Sequence, residues 1–246
     1  MLLAIIMPVY NEAGLLERAA ERVIGCAPPR DAAGRELNRL LVVIDDGSTD
    51  GTADIARHLG QRDGIRVECL PANRGKGAAV RRGIELAIEA GADVVVLHDA
   101  DLEYDPADHA ALLAPILDGR ADAVIGSRFL GQTHRVLYYW HSLANRAITT
   151  LSNILTNLNL SDIECCLKAF SREIATKLSL QEDRFGVEPE IIARLARLRL
   201  GPEYRPVRVY EVAVSYSGRT YAEGKKIRWQ DGFEAIGVIL RRNLWD

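Results

Sequence analysis

The chain alternates short apolar segments rich in β-branched residues with stretches of helical periodicity, and this alternation restricts its fold more than any other feature. The apolar segments at residues 2–7, 40–44 and 94–97 each end in a polar loop. Helical patterns at residues 12–24 and from residue 48 or 49 to 59 follow the first two segments. Because strands that alternate with helices usually pair in parallel, the sequence predicts an α/β fold with a parallel central sheet flanked by helices.

The remaining periodic segments predict further strands and helices, and most of the helices fall in the second half of the chain. Further strands are expected near residues 65–70, 123–125 and 207–216, by the same apolar and β-branched pattern. Helices are expected at residues 75–90, 138–160, 171–180, 188–198 and 229–244. A chain of 246 residues, 48% hydrophobic and 26% charged, can build one large domain with a buried core.

Charge and cysteine content exclude several classes of protein. A formal net charge of -3 gives no basic field, which argues against a nucleic-acid partner. Cys26, Cys69, Cys165 and Cys166 lack the C-x-x-C spacing of a metal site, so we expect reduced thiols in a cytoplasmic protein. Residues 1–9 lack the features of a signal peptide, and no apolar stretch reaches the roughly 18 residues of a transmembrane helix.

Polar clusters stand where the predicted strands end. They are Tyr10-Asn11-Glu12, Asp45-Asp46-Gly47-Ser48 and His98-Asp99-Ala100-Asp101. Ligands of open α/β sheets bind beyond the carboxyl ends of the strands, so these three loops are expected to form one site. Asp99 and Asp101 supply the hard oxygen ligands that a divalent cation prefers, and a cation held between them could bind the phosphates of a ligand.

The loop after the second strand, and one further loop, admit a structural and a functional interpretation. Ser48 and Asp50 can cap a helix around a turn at Gly47, but capping leaves Asp45 and Asp46 unexplained, and a nucleoside is a natural partner for them. The segment Asn73-Arg74-Gly75-Lys76-Gly77 can bring backbone amides and a cation to a phosphate. It lacks the Walker spacing, which argues against an ATPase or GTPase.

The motifs together resemble those of family 2 glycosyltransferases, in the same order and over nearly the whole chain. They are Pro8-Val9-Tyr10-Asn11-Glu12, Asp45 to Thr52, Asn73 to Gly77, Asp99-Ala100-Asp101-Leu102 and Gly126-Ser127-Arg128. Within that family the chain looks most like the dolichol- or polyprenol-phosphate mannosyltransferase group. That similarity comes from residues 162–170 and 207–216, and from Ser217-Gly218-Arg219 with Lys225.

The resemblance implies the fold and the activity. It implies a GT-A fold, with residues 1–130 as the nucleotide-sugar-binding half and residues 131–246 as the acceptor-binding and closing-loop half of one catalytic domain. The implied reaction is inverting transfer of a sugar from GDP-mannose or a UDP-sugar to polyprenyl or dolichyl phosphate. The implied cofactor is Mn²⁺ or Mg²⁺, and the implied location is cytoplasmic, at the inner face of the membrane.

The resemblance also implies roles for particular residues. Nucleoside and donor binding fall to Pro8, Tyr10, Glu12, Ile44, Asp46 and Ala100, and metal and phosphate binding to Asp99 and Asp101. Arg128, Arg219 and Lys225 would supply positive charge. Arg219 and Lys225 belong to a basic loop at residues 217–225, which contains Gly218 and Gly224 and has only Glu223 as an acidic sequence neighbour.

Departures from the group leave the sugar and the acceptor open. Glu103 and Tyr104 follow the acidic motif where the group has Gln or Ser and then His, and Cys165-Cys166-Leu167-Lys168 replaces Ser-Gly-Phe-Arg. One alternative is therefore a family 2 enzyme with a soluble or polysaccharide hydroxyl acceptor, for which Asp162 or Glu164 would be the base. A non-catalytic nucleotide-binding module is another. The helix at 138–160 suits either a membrane interface or a cover for the core, and the oligomeric state stays open.

Overall fold

A central mixed sheet organises the chain in this computed structural model, which describes residues 1–31, 33–131, 135, 138–220, 223–224 and 229–245. Within those residues seven strands form the sheet in the order β3-β2-β1-β4-β6-β5-β9. The strands are β1 (Leu2–Val9), β2 (Asn38–Asp45), β3 (Ile65–Cys69), β4 (Val94–Leu97), β5 (Ala123–Ser127), β6 (Lys168–Ser171) and β9 (Val209–Ala213), with β7 (Arg199–Leu200) and β8 (Arg205–Pro206) as a separate pair.

Helices cover the sheet and continue into a helical C-terminal part. They are α1 (Leu16–Gly25), α2 (Thr52–Leu59), α3 (Lys76–Glu89), α4 (His109–Leu117), α5 (Tyr139–Thr156), α6 (Arg172–Lys177), α7 (Val187–Arg197) and α8 (Trp229–Leu244). α5, α7 and α8 pack against one another, and α3 packs on β1 and β2. None of the helices in the described part of the chain combines the length and the apolar character needed to cross a membrane.

The predicted mostly parallel sheet is confirmed, with one strand that the sequence analysis missed. β6 runs antiparallel between β4 and β5, whereas the other neighbours in the sheet pair in parallel. β6 is only four residues long and includes the charged Lys168, so its composition gives no strand signal. The helix α4 was also missed, and α1 begins at Leu16 rather than at Glu12 because residues 10–14 form a turn.

The buried strands explain where the polar loops lie. β1 lies between β2 and β4, and Leu3 to Met7 of β1 are almost completely buried. Such strands are apolar throughout because helices cover both faces of a parallel sheet. Their carboxyl ends lie side by side, so the first polar residues after β1, β2 and β4 meet at one edge.

Close packing of α3 on β1 depends on a glycine inside the helix. A Cβ atom on Gly83 would overlap Cγ2 of the buried Ile6. Glycine in a helix is unfavourable in itself, but at this position it lets the helix approach the sheet.

We expect Gly83→Ala to lower the free energy of unfolding by about 1–3 kcal/mol, because the added methyl group overpacks the contact with Ile6. Gly237→Ala in α8 is the matched control, since a Cβ there meets no atom within 4 Å, and it should raise stability by up to about 1 kcal/mol. Urea unfolding measures both. A Gly83→Ala protein as stable as the wild type would contradict this account of the helix contact.

Candidate active site

The three polar loops that follow β1, β2 and β4 do converge at one edge of the sheet, as predicted. Ser48 Oγ accepts a hydrogen bond from Asn11 N at 2.8 Å, and Thr52 Oγ1 accepts one from Glu12 N at 2.9 Å. These two bonds join the loop after β1 to the loop after β2. They account for Ser48 and Thr52 without a ligand. The predicted capping role of Ser48 is wrong, because α2 begins after Gly51 and Ser48 bonds to the other loop instead.

Asp46 holds the loop before α3 in place. Its carboxylate accepts hydrogen bonds from Asn73 Nδ2 at 2.9 Å, Arg74 N at 2.9 Å and Gly75 N at 2.7 Å. Burial raises the pKa of Asp46, although the two backbone N–H groups counteract it. The contact between Asp46 and a nucleoside stays a prediction. In addition, the carboxylate has a structural role, because it holds the loop at residues 73–75.

Four other residues expected to contact the sugar donor differ in their exposure to solvent. Pro8 and Ile44 are register partners on β1 and β2, and both are buried. Ala100 is also buried, whereas Tyr10 is exposed at the edge. A nucleoside at this edge would therefore meet the ring of Tyr10 but mainly the backbone of the other three.

Asp45 carries an unsatisfied polar atom at the same edge. Its Oδ2 accepts a hydrogen bond from Ser48 N at 3.2 Å. Its Oδ1 is buried and has no hydrogen-bond partner among the described residues. Buried carboxylate oxygens rarely lack a hydrogen-bond donor, so Asp45 is a further candidate for contact with a ligand. The sequence pattern did not distinguish Asp45 from Asp46.

Asp99 ends a chain of alternating charges that begins inside the sheet. Lys168 on β6 is fully buried and pairs with Glu188 of α7. Glu188 Oε1 lies 2.9 Å from Lys76 Nζ, and Lys76 Nζ lies 2.8 Å from Asp99 Oδ2. The four side chains thus connect the centre of the sheet to the acidic motif.

The chain of charges holds Lys76 and Asp99 in their ionised forms. Burial opposes the charge on Lys76, but Asp99 and Glu188 raise the pKa of its ammonium well above the usual value. Burial also opposes the charge on Asp99, but Lys76 lowers the pKa of that carboxyl. Lys76 is therefore a fixed cation beside the first carboxylate of the acidic motif.

Asp101 lies among other acidic groups. Its Oδ1 accepts a hydrogen bond from Glu103 N at 3.0 Å. Burial, and then the charges of Asp99 and Glu103, raise the pKa of Asp101 to about 7. Crowded carboxylates of this kind suit a divalent cation, because the ion removes the repulsion between them.

The carboxylate oxygens of the acidic motif fit a hard divalent ion, although they do not form a complete coordination site by themselves. Asp99 and Asp101 supply carboxylate oxygens, which Mn²⁺ and Mg²⁺ prefer. No group of three or more metal-ligating side chains stands together in the part of the chain that the structure describes. The carboxylates contact the cations Lys76 and Arg219 instead.

Arg219 contacts the acidic motif directly. Its guanidinium lies 3.2 Å from Glu12 Oε1, 3.3 Å from Glu103 Oε1 and 3.5 Å from Asp101 Oδ2. The expectation that Glu223 is its acidic neighbour is wrong in space, because Glu223 pairs with Arg135 at 2.8 Å. Lys225, predicted to act with Arg219, lies outside the described residues.

Arg128 follows β5 and is held by a buried carboxylate. Its Nε lies 2.7 Å from Asp162 Oδ2 and its Nη2 lies 2.8 Å from Asp162 Oδ1, in the two-pronged geometry that arginine forms with carboxylates. The guanidinium carbon also lies 5.2 Å from the centre of the Tyr216 ring. Asp162 therefore orients Arg128, and it is not free to act as a base.

Glu164 is the other carboxylate that the sequence analysis considered as a base. Its backbone N donates to Asp162 Oδ1 at 3.1 Å, but its own Oε1 is buried and has no hydrogen-bond partner among the described residues. Burial, and then the charge of Glu188, raise the pKa of Glu164 to about 7. Of the two candidates, only Glu164 has an available oxygen and a pKa suited to proton transfer near neutral pH.

Glu188 and Tyr216 were missed by the sequence analysis. Glu188 reaches the site from α7, far from the motif loops in sequence, and no local pattern distinguishes it from a solvent-facing glutamate. Tyr216 donates from its hydroxyl to Glu103 Oε2 at 2.7 Å. The sequence held one signal for Tyr216: Glu103, two residues after Asp101, is an additional carboxylate, and such a group needs a cation or a hydrogen-bond donor next to it.

Comparison with known proteins assigns the chain to a protein family. Residues 4–179 match the model of the glycosyl transferase family 2. A glycosyltransferase AglJ from Haloferax volcanii is 30% identical over 84% of this chain and 62% of its own length. A polyprenol monophosphomannose synthase from Mycolicibacterium smegmatis is 31% identical over 72% of this chain and 64% of its own length. The chain thus spans less than two thirds of either relative.

A solved structure supports the fold at a greater evolutionary distance. Glucosyl-3-phosphoglycerate synthase from Mycobacterium tuberculosis, crystallised with Mn²⁺, uridine diphosphate and glucosyl-3-phosphoglycerate, superposes with a TM-score of 0.69. The alignment covers 98% of this chain and 79% of that one, with 22% sequence identity. The predicted GT-A fold is confirmed by this similarity, and the family match is long enough to be decisive: the chain belongs to glycosyl transferase family 2.

Proposed function

We propose that the chain transfers a sugar from a nucleoside-diphosphate sugar to a polyprenyl phosphate, with inversion at the anomeric carbon. The observation that carries the proposal is the acidic motif at the end of β4, each of whose two carboxylates contacts a cation. Lys76 contacts Asp99 at 2.8 Å, and Arg219 contacts Asp101 at 3.5 Å. Such a site suits a divalent ion and a diphosphate together.

The family and its relatives support the reaction class. Members that resemble the chain are named for transfer to polyprenol phosphate or dolichol phosphate, among them a dolichol-phosphate mannosyltransferase from Pyrococcus furiosus. The solved neighbour was crystallised with Mn²⁺ and uridine diphosphate, which supports a metal-dependent nucleotide-sugar donor. GDP-mannose and a UDP-sugar both fit the proposal.

Asp99 and Asp101 would hold the metal, and the metal would stabilise negative charge on the departing diphosphate. Tyr10, Glu12, Asp46 and the backbone at Pro8, Ile44 and Ala100 would hold the nucleoside. Lys76, Arg128, Arg219 and Lys225 would supply the positive charge around the two phosphate groups.

A phosphate acceptor needs no general base from the protein. A phosphate monoester is already anionic near neutral pH, with a second pKa near 6, so its oxygen can attack without a base. The new bond joins that oxygen to the anomeric carbon, while the bond from the carbon to the diphosphate breaks and the diphosphate keeps the electron pair. Asp162 cannot serve as a base while it holds Arg128, and a phosphate acceptor requires none.

The exposed side chains of α5 support an acceptor held at a membrane. Tyr139, Trp140 and Leu143 of this helix, here called the aromatic face, have exposed fractions of 70%, 73% and 43%. Phe129 and Leu130, which follow Arg128 in the sequence, are further exposed apolar side chains. Aromatic side chains favour the membrane–water interface, so we propose that this face rests on the lipid from which the acceptor enters.

We expect Asp101→Asn to lower transfer by at least about 10²-fold in the presence of Mn²⁺ or Mg²⁺, because the amide loses the charge that binds the cation. Transfer from GDP- and UDP-sugars to polyprenyl phosphate is the assay. Asp118→Asn is the matched control, since Asp118 pairs with the exposed Arg120 and not with the acidic motif. Wild-type rates in the Asp101→Asn protein would contradict the metal assignment.

Replacing Glu164 distinguishes the two kinds of acceptor. With polyprenyl phosphate we expect Glu164→Gln to keep transfer within about tenfold of the wild type, because the acceptor needs no base. With a hydroxyl acceptor the same change should cost about 10²- to 10⁴-fold, as loss of a general base does. A fall of 10²-fold or more with polyprenyl phosphate would contradict the direct attack of the phosphate.

Loss of the aromatic face should weaken membrane binding. We expect the double variant Tyr139→Ser with Trp140→Ser to reduce partitioning to phosphatidylcholine–phosphatidylglycerol vesicles by at least about tenfold, because two interfacial anchors are removed. Co-sedimentation measures the bound fraction. Tyr204→Ser is the control, since Tyr204 is 77% exposed but lies in the turn between β7 and β8. Equal binding by wild type and double variant would contradict the proposed face.

A further inference from the structure

The guanidinium of Arg219 lies among three carboxylates from two different loops. Its Nη1 lies 3.2 Å from Glu12 Oε1 and 3.3 Å from Glu12 Oε2, and its Nη2 lies 3.5 Å from Asp101 Oδ2. Its Nε lies 3.3 Å from Glu103 Oε1. The side chain is only 15% exposed, so these contacts are shielded from water.

The backbone around Arg219 is anchored to the acidic motif as well. Glu103 O accepts a hydrogen bond from Ser217 N at 2.8 Å, and Glu103 Oε1 accepts one from Arg219 N at 2.9 Å. Tyr216 donates from its hydroxyl to the other oxygen of the same carboxylate. Glu103 therefore fixes the position from which the guanidinium reaches Asp101 and Glu12.

This arrangement conflicts with a metal on Asp101. Asp101 Oδ1 accepts a hydrogen bond from Glu103 N, and Asp101 Oδ2 faces the guanidinium. A divalent ion bound to Asp101 would lie within a few ångströms of this guanidinium, and two positive charges at that distance repel each other. The ion and Arg219 therefore compete for the same negative charge.

We propose that Arg219 is a placeholder cation, whose guanidinium neutralises Glu12 and Asp101 until the metal and the donor displace it. The inference rests on the proposed function, because it takes Asp99 and Asp101 as the metal ligands. After displacement the guanidinium is released beside the incoming diphosphate, a partner that arginine binds through two parallel hydrogen bonds. Arg219 thus opposes metal binding in the absence of donor and supports transfer in its presence.

The test is the affinity for Mn²⁺ alone, measured without donor by calorimetry or by the electron paramagnetic resonance signal of free Mn²⁺. We expect Arg219→Met to bind Mn²⁺ at least about tenfold more tightly than the wild type, because a competing charge next to the ligands is gone. Arg219→Gln should behave in the same way, so the result does not depend on one variant folding well. Both variants should lose transfer activity.

Two controls define the site that is measured. Arg135→Met removes a cation that pairs with Glu223 rather than with the acidic motif, and it should leave Mn²⁺ affinity unchanged. Combining Asp101→Asn with Arg219→Met should abolish the gain. Equal or weaker Mn²⁺ binding by both Arg219 variants, or binding too weak to measure in both, would overturn the inference.

The outcome is separable from that of the proposed function. If no donor and acceptor pair gives transfer but Mn²⁺ affinity rises in both Arg219 variants and depends on Asp101, the placeholder role stands and the proposed reaction fails. If transfer to polyprenyl phosphate occurs while Mn²⁺ affinity does not change, the reaction stands and the placeholder role fails.

Discussion

The ion pair between Lys76 and Asp99 is the interaction on which the site depends, because it couples the acidic motif to the core. Lys76 is also paired with Glu188, which in turn pairs with the fully buried Lys168 in the sheet. Removing one member of such a chain leaves another charge buried without a partner, which is far more unfavourable than losing an exposed ion pair. The acidic motif is therefore held by the same contacts that join α3, β6 and α7.

The surplus of acidic groups at this edge explains the position of Arg219. Carboxylates from the loops after β1 and β4 both contact Arg219. Burial, and then the charges of Asp99 and Glu103, raise the pKa of Asp101 to about 7. Arg219 reduces the repulsion among these carboxylates through its contacts with them. Arg128 is neutralised separately, because it pairs with Asp162. In the proposed function, the side chain that compensates these charges in the absence of a ligand would also bind phosphate.

The sequence predicted the parts of the site that depend on local pattern. β-branched segments followed by polar loops predicted β1, β2 and β4, and the parallel order of these strands was enough to place Asp46, Asp99 and Asp101 at one edge. The loop at 73–77 was singled out for its glycines and its cations, and Lys76 lies beside Asp99.

What the sequence could not provide depends on distant packing. β6 contains a lysine that is tolerated only because Glu188 arrives from α7, about twenty residues later in the chain. Likewise the partners of Arg219 are more than a hundred residues away in sequence, so counting its sequence neighbours suggested a free cation. Helix boundaries differed where a turn precedes the helix, as at residues 10–14 before α1.

The most direct test of the account is to follow both products of the reaction catalysed by the wild-type protein. Polyprenyl phosphate, Mn²⁺ and a labelled nucleotide-sugar should give a lipid-linked sugar phosphodiester and free nucleoside diphosphate in equal amounts, and the anomeric configuration of the product, determined by NMR, should be opposite to that of the donor. A product with retained configuration, or release of nucleoside diphosphate with the sugar transferred to water or to a soluble hydroxyl instead of the lipid, would contradict it.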